Sequence, residues 1–99
     1  MHPLVIPKRH APTIVDLTDE EAVALIHATR RAAKALVDAY DAPGINTYQN
    51  NGVASGQTVA HFHTHVVLRK VGDPWPPPPR VRITPEQRDE IAARLSAHL

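Results

Sequence analysis

Hydrophobic and polar residues follow two periods along this chain, and each change of period marks a predicted element. The run PLVIP at residues 3–7 is apolar and bounded by prolines, which favours an edge or terminal strand. Thr18 and Glu21 have the spacing of a capping box, so we expect a helix to begin there and to run to about residue 40. Its predicted buried stripe is Ala22, Leu25, Ile26, Ala32, Ala33, Leu36, Val37 and Tyr40.

The middle of the chain is typical of a β-hairpin. DAPG at residues 41–44 ends the helix, and INTYQN at 45–50 has the composition of a strand. NNGVASG at 50–56 is rich in residues that tolerate left-handed backbone angles, and QTVAHFHTHVVLRK at 57–70 follows as the second arm. Because side chains alternate between the faces of a strand, we expect His61, His63 and His65 to line one face, about 6 to 7 Å apart, with Phe62 and Thr64 toward the helix.

The composition changes after residue 70. VGDPWPPPPRVR at 71–82 contains four consecutive prolines and is predicted to be an extended arm. Thr84, Pro85 and Gln87 begin a last helix with a weak apolar stripe. We therefore expect an α+β fold with an antiparallel β-meander, a long helix on one face and a C-terminal helix, divided into a core at 1–70 and an arm with a helix at 71–99.

Composition narrows the possible functions. The 99 residues are 42% hydrophobic and 21% charged, as in an ordinary small globular domain. The net charge of +1 lacks the large excess of Lys and Arg that is typical of nucleic-acid-binding domains, so we expect no nucleic acid partner. The chain has no cysteine, which excludes thiol nucleophiles and thiolate zinc sites. The opening MHPLVIPKRH is too briefly apolar for a signal peptide or a membrane span, so we expect a cytoplasmic protein with no membrane partner.

Three histidines in strict alternation allow four interpretations. They could be a polar sheet face without a role, or three nitrogen ligands of a zinc ion with an open fourth position. They could also provide metal-free catalysis at phosphorus, with one imidazole as nucleophile and another as acid. The fourth is a phosphate-binding module without catalysis, using donors in the neighbouring turn. The spacing alone leaves these alternatives open.

Several blocks in the same order give the chain a family resemblance. LVIPKRH, a helix, a strand ending in QNNG, and then GQTVAHFHTHVVLR resemble the histidine triad (HIT) family of nucleotide hydrolases and transferases. The resemblance extends from about residue 2 to residue 70. The motif HFHTHVV matches the family pattern, with Thr64 at a position where an apolar residue is usual.

The resemblance implies roles for individual residues. His63 matches the nucleophile that attacks the α-phosphorus and becomes nucleotidylated. His65 matches the group that stabilises and protonates the leaving side, and His61 matches a supporting residue that keeps the His63 ring oriented. The implied activity is hydrolysis or nucleotidyl transfer on a nucleoside phosphoramidate or dinucleoside polyphosphate, without a metal or other cofactor.

Further positions are implied to contact substrate. Gln57, Asn50 and Thr58 match or adjoin positions near phosphate and ribose, and His2 matches the histidine that opens the LVIPKRH block. The chain begins almost at that block, so we expect it to lack the usual N-terminal strands and part of the nucleoside pocket. The resemblance also implies a purine nucleotide or conjugate as ligand and a homodimer. The alternatives are a nonenzymatic nucleotide- or metal-binding module and an inactive, truncated HIT protein.

Overall fold

The computed structural model describes residues 2–75 and 83–99. The predicted extended arm spans residues 71–82. Its residues 76–82, which include the four consecutive prolines, lie outside the described residues. Short 3₁₀ turns occur at Ile14–Asp16 and Val53–Ser55. The helices and strands are β1 (Leu4–Val5), α1 (Asp19–Tyr40), β2 (Gly44–Tyr48), β3 (Thr64–Arg69) and α2 (Pro85–Ser96).

Three antiparallel strands form the sheet in the order β1-β3-β2. Within the described part of the chain, β3 is the last strand in sequence, and it lies at the centre of the sheet between β1 and β2. Within the β2–β3 hairpin, Gly44 pairs with Arg69 and Tyr48 pairs with His65. On the other side of β3, Leu4 also pairs with His65. The α+β fold predicted from the sequence is confirmed.

The long helix covers one face of this sheet. The Thr18 hydroxyl accepts from the Glu21 backbone N–H, and the Glu21 carboxylate accepts from the Thr18 N–H, which is the predicted capping box. Leu36 on α1 and Val66 on β3 are fully buried between helix and sheet. The buried face of α1 is centred on Leu25, Thr29, Ala35, Leu36 and Ala39.

Three predicted members of the buried stripe lie outside it. Ala22 is exposed, Ile26 is 64% exposed and Val37 is 42% exposed. The face that meets the sheet is rotated toward small residues such as Ala35 and Ala39. Small side chains let the backbone of α1 approach the sheet closely. The sheet therefore buries only part of the apolar stripe that the sequence predicts for α1.

The second arm of the hairpin is shorter than predicted. β3 begins at Thr64, and residues 57–63 form an irregular segment in place of the expected strand. Their hydrogen bonds explain this: the Phe62 N–H donates to the Ala11 carbonyl at 2.6 Å, and the His61 N–H donates to the Val59 carbonyl. The segment is therefore attached to the chain around residue 11 instead of continuing the ladder with β2.

The C-terminal helix begins as predicted, with Thr84 as its cap, Pro85 in its first turn and Gln87 closing a capping box. It contacts the end of α1 through Arg94, whose guanidinium donates to the Ala39 carbonyl and lies 4.3 Å from the Tyr40 ring centroid. Neither α1 nor α2 is long and apolar enough to cross a membrane.

Candidate active site

Histidines from two distant parts of the chain meet on the face of the sheet opposite α1. His65 lies in β3, and His2 lies two residues before β1, which pairs with β3 at His65. The His2 Nε2 and His65 Nδ1 atoms are 2.7 Å apart. The His63 and His65 rings meet edge to face, with 4.9 Å between centroids. The predicted site residues His2, His63 and His65 are therefore neighbours.

The protonation of His63 is constrained by the backbone. Its Nδ1 lies 2.8 Å from the carbonyl oxygen of His61, two residues earlier. A carbonyl oxygen only accepts hydrogen bonds, so Nδ1 must be the donor and must carry the proton. In the neutral ring, the lone pair then resides on Nε2. This arrangement leaves Nε2 as the His63 nitrogen that can act as a nucleophile or accept a proton.

His61 turns away from the other two histidines of the motif. Its Nε2 lies 3.3 Å from the Pro7 carbonyl oxygen, and its ring stacks on His10 with 5.4 Å between centroids. The expected row of three imidazoles on one strand face is thus broken at His61, because the strand begins only at Thr64. His61 reaches His63 through its main-chain carbonyl.

The polar residues predicted to contact substrate lie in and beside the turn. Asn50 is half-buried next to Gly56, and Thr58 is exposed. Gln57 spans the turn: its Oε1 accepts from the Gly52 N–H at 2.7 Å and its Nε2 donates to the Pro12 carbonyl at 2.6 Å. In this arrangement the Gln57 amide is engaged with the protein at both ends.

Sequence reasoning missed three rings beside the histidines. Tyr48 stacks on His65 with 4.5 Å between centroids and 13° between planes, and Trp75 meets Tyr48 edge on at 5.5 Å. His10 stacks on His61. The hairpin register was the available signal for Tyr48, because antiparallel pairing places it directly opposite His65.

An ion pair fixes the segment that carries His10. Arg9 makes two hydrogen bonds to the Glu21 carboxylate, at 2.7 and 3.0 Å, and a third to the Asp16 carbonyl at 2.7 Å. The Arg9 hydrogen bond, followed by that from the Thr18 backbone, lowers the pKa of Glu21 to about 2.

Within residues 2–75 and 83–99, no three His, Asp or Glu side chains are grouped so that they could hold a metal ion.

One known family matches most of this chain. A family profile described as HIT domain matches residues 1–72. The bis(5′-nucleosyl)-tetraphosphatase (asymmetrical) of Schizosaccharomyces pombe is 38% identical over 72 residues, which are 73% of this chain and 40% of that protein. Adenosine 5′-monophosphoramidase hnt1 of the same organism is 30% identical over 103 aligned positions, covering 99% of this chain and 72% of that protein.

Solved structures agree with the fold. A Hit-like protein involved in cell-cycle regulation from Bartonella henselae has a TM-score of 0.90 at 36% identity, with 99% of this chain and 71% of that chain covered. The present chain spans only 36 to 48% of the length of four curated relatives with which it shares 35 to 43% identity.

Proposed function

Because the chain belongs to the HIT domain family, we propose that it cleaves nucleotide derivatives at the α-phosphate through a nucleotidyl-His63 intermediate. The observation that carries this proposal is the 2.8 Å contact between His63 Nδ1 and the His61 carbonyl oxygen. It keeps the proton on Nδ1 and leaves the Nε2 lone pair to attack phosphorus.

The first step forms a bond between His63 Nε2 and the α-phosphorus. The bond from phosphorus to the leaving group breaks, and the leaving group departs with the electron pair and takes a proton from His65. The 4.9 Å separation of the His63 and His65 ring centroids supports this division, since both rings can reach groups bonded to one phosphorus.

The second step releases the nucleotide. Water attacks the phosphorus and gives its proton to His65, which lost one in the first step. The bond between His63 Nε2 and phosphorus breaks and its electron pair returns to the ring. A different acceptor in place of water would make the reaction a nucleotidyl transfer. Both steps need donors for the phosphate oxygens, a role that we assign to Asn50 in the turn and to Thr58 beside it.

The proposed substrate class follows from the names of the relatives. The relatives include proteins named as a nucleosyl tetraphosphatase and an adenosine monophosphoramidase. A purine nucleoside phosphoramidate or dinucleoside polyphosphate therefore suits this chain.

Gln57 is assigned a supporting role, because its amide holds Gly52 and Pro12 together across the turn beside the site. His2 is assigned to the support of His65 through their 2.7 Å contact.

The experiment is release of AMP from adenosine 5′-phosphoramidate by the purified chain, with and without EDTA. We expect turnover that survives EDTA and falls at least about 10³-fold in His63→Ala, because loss of a nucleophile removes the covalent route. The matched control is His27→Ala, which removes an exposed histidine of α1 and should leave turnover unchanged.

Equal turnover in His63→Ala and the unmutated chain would refute the covalent mechanism. Nucleotide binding by a folded chain without turnover would instead support the nonenzymatic module. Turnover lost with EDTA and restored by zinc would support the metal interpretation. Mass spectrometry of acid-sensitive nucleotidylated peptide, present with substrate and absent in His63→Ala, would identify the intermediate directly.

A further inference from the structure

Tyr48 has a contact with the site that the family resemblance does not assign. It is the last residue of β2 and pairs with His65 across the hairpin. The two rings are nearly parallel, at 13°, with 4.5 Å between their centroids. Offset stacking at this distance is a favoured aromatic geometry, so one face of the His65 imidazole is covered by the phenol ring.

Tyr48 is itself held from behind. The Trp75 ring meets it edge on, at 89° and 5.5 Å between centroids. The Arg69 guanidinium carbon lies 5.3 Å from the Trp75 ring centroid. Arg69 also donates to the Asp73 and Pro74 carbonyls, at 3.1 and 2.6 Å, which fixes the turn that brings Trp75 back to the sheet. The Tyr48 ring therefore has little freedom to tilt.

These contacts restrict the His65 ring in two directions. The 2.7 Å contact between His2 Nε2 and His65 Nδ1 fixes rotation of the ring in its own plane. The parallel Tyr48 ring fixes the orientation of that plane. An aromatic face also stabilises a protonated imidazole, since its negative π-surface attracts a cation. Among the described residues, the ionisable rings in contact with His65 include His2 and His63, and the Arg69 guanidinium lies against Trp75.

We infer that Tyr48 is a positioning residue that holds His65 for proton delivery to the leaving group. This inference rests on the proposed function, in which His65 protonates the leaving group while His63 attacks. Tyr48 acts through its ring face, so a phenyl ring should serve as well as a phenol.

The test compares two substrates that differ in their need for a proton. An alkylamine phosphoramidate of AMP has a strongly basic leaving group that must be protonated. The p-nitrophenyl ester of AMP has a leaving group that departs as a stable anion. General acid catalysis contributes about 10² to 10⁴-fold, and we expect Tyr48→Leu to lose about tenfold of it in kcat/KM for the first substrate. For the second substrate, kcat/KM should change less than about twofold, since it reports the steps through loss of the leaving group, where protonation contributes little, and excludes the later attack of water that both substrates share.

Three variants complete the design. Tyr48→Phe should retain both activities, because it keeps the ring face. Trp75→Ala removes the support behind Tyr48 and should show the same substrate pattern with a smaller loss. Tyr40→Leu is the control, because Tyr40 contacts Arg94 on α2 and has no part in the proposed reaction. Thermal unfolding of each variant establishes that it is folded. If Tyr48→Leu does not fold, the comparison of the two substrates is made with Trp75→Ala.

The outcomes separate this inference from the function on which it depends. Equal losses of kcat/KM on both substrates in Tyr48→Leu, or a Tyr48→Phe variant as impaired as Tyr48→Leu, would overturn the positioning role while leaving the proposed function intact. No AMP release from either substrate by the unmutated chain would overturn both. A loss confined to the alkylamine substrate and restored in Tyr48→Phe supports the inference.

Discussion

Glu21 joins the start of the long helix to the segment that carries His10. One carboxylate oxygen accepts from the Thr18 N–H at 2.9 Å and from Arg9 at 2.7 Å, while the other accepts from Arg9 at 3.0 Å. The capping box with Thr18 was predictable from spacing in the sequence. The partnership with Arg9 was not, because it depends on how the chain after β1 turns toward α1.

The depressed pKa of Glu21 gives a prediction for acid stability. Folding lowers this pKa from about 4.5 to about 2, so the ionised carboxylate stabilises the fold above about pH 4.5. That contribution is lost as the pH falls toward about 2. We expect Glu21→Gln to lower the free energy of unfolding at pH 7 and to differ progressively less from the unmutated chain below pH 4.5.

Urea unfolding at a series of pH values measures this convergence. Glu20→Gln is the matched control, since it removes a neighbouring exposed carboxylate from the same helical turn. A stability difference for Glu21→Gln that stayed constant down to pH 2.5 would contradict the assigned role of the ion pair.

At the scale of elements, α1 ends with a residue in a backbone conformation that glycine prefers. Asp41 has φ 50° and ψ 42°, in the left-handed region, while Gly44 begins β2 three residues later. The sequence DAPG correctly indicated the end of the helix. It did not indicate which residue adopts the left-handed angle, because aspartate tolerates that region more readily than most residues with a Cβ.

We expect Asp41→Gly to stabilise the chain by about 0.5 to 1 kcal/mol, because glycine adopts positive φ without a Cβ penalty. Asp41→Ala should destabilise it, since alanine has the Cβ and no polar group to bond locally. Equilibrium unfolding of both variants tests the prediction. A destabilised Asp41→Gly variant would mean that the aspartate side chain itself supports the helix end.

The hairpin illustrates what sequence could and could not predict about the site. The turn signals and the alternation correctly predicted two antiparallel arms and the neighbouring histidines His63 and His65. They also extended the second arm back to Gln57, where the structure has an irregular segment bonded to Ala11 and Pro12. Periodicity describes which side chains could share a face, whereas hydrogen bonds to a distant loop decide where a ladder begins.

At the scale of the whole molecule, the long helix has apolar side chains on its outer surface. Val23, Ile26 and Val37 are 56%, 64% and 42% exposed. The homodimer implied by the family resemblance stays a prediction, and these residues provide a way to test it. Apolar groups at such positions are typical of surfaces that become buried in an assembly.

We expect the chain to sediment as a dimer at micromolar concentration and Ile26→Lys to shift it toward monomer, since burying an unpaired charge opposes association. Val71→Lys is the control, because Val71 is 96% exposed in the turn after β3. Sedimentation velocity distinguishes the species. An unmutated chain that remained monomeric at high concentration would refute the dimer, and equal effects of both substitutions would refute the assignment to α1.

The hydrogen bond from His63 to the carbonyl of residue 61 has a consequence for how this site tolerates mutation over evolutionary time. The acceptor belongs to the main chain, so no substitution at position 61 deletes it. Related proteins could carry another side chain at position 61 and still hold the proton on Nδ1 of His63. Selection for histidine at position 61 would then reflect only the contacts of its ring with the Pro7 carbonyl and the His10 ring. An insertion or deletion between positions 61 and 63 would instead move this carbonyl relative to the His63 ring and break the hydrogen bond.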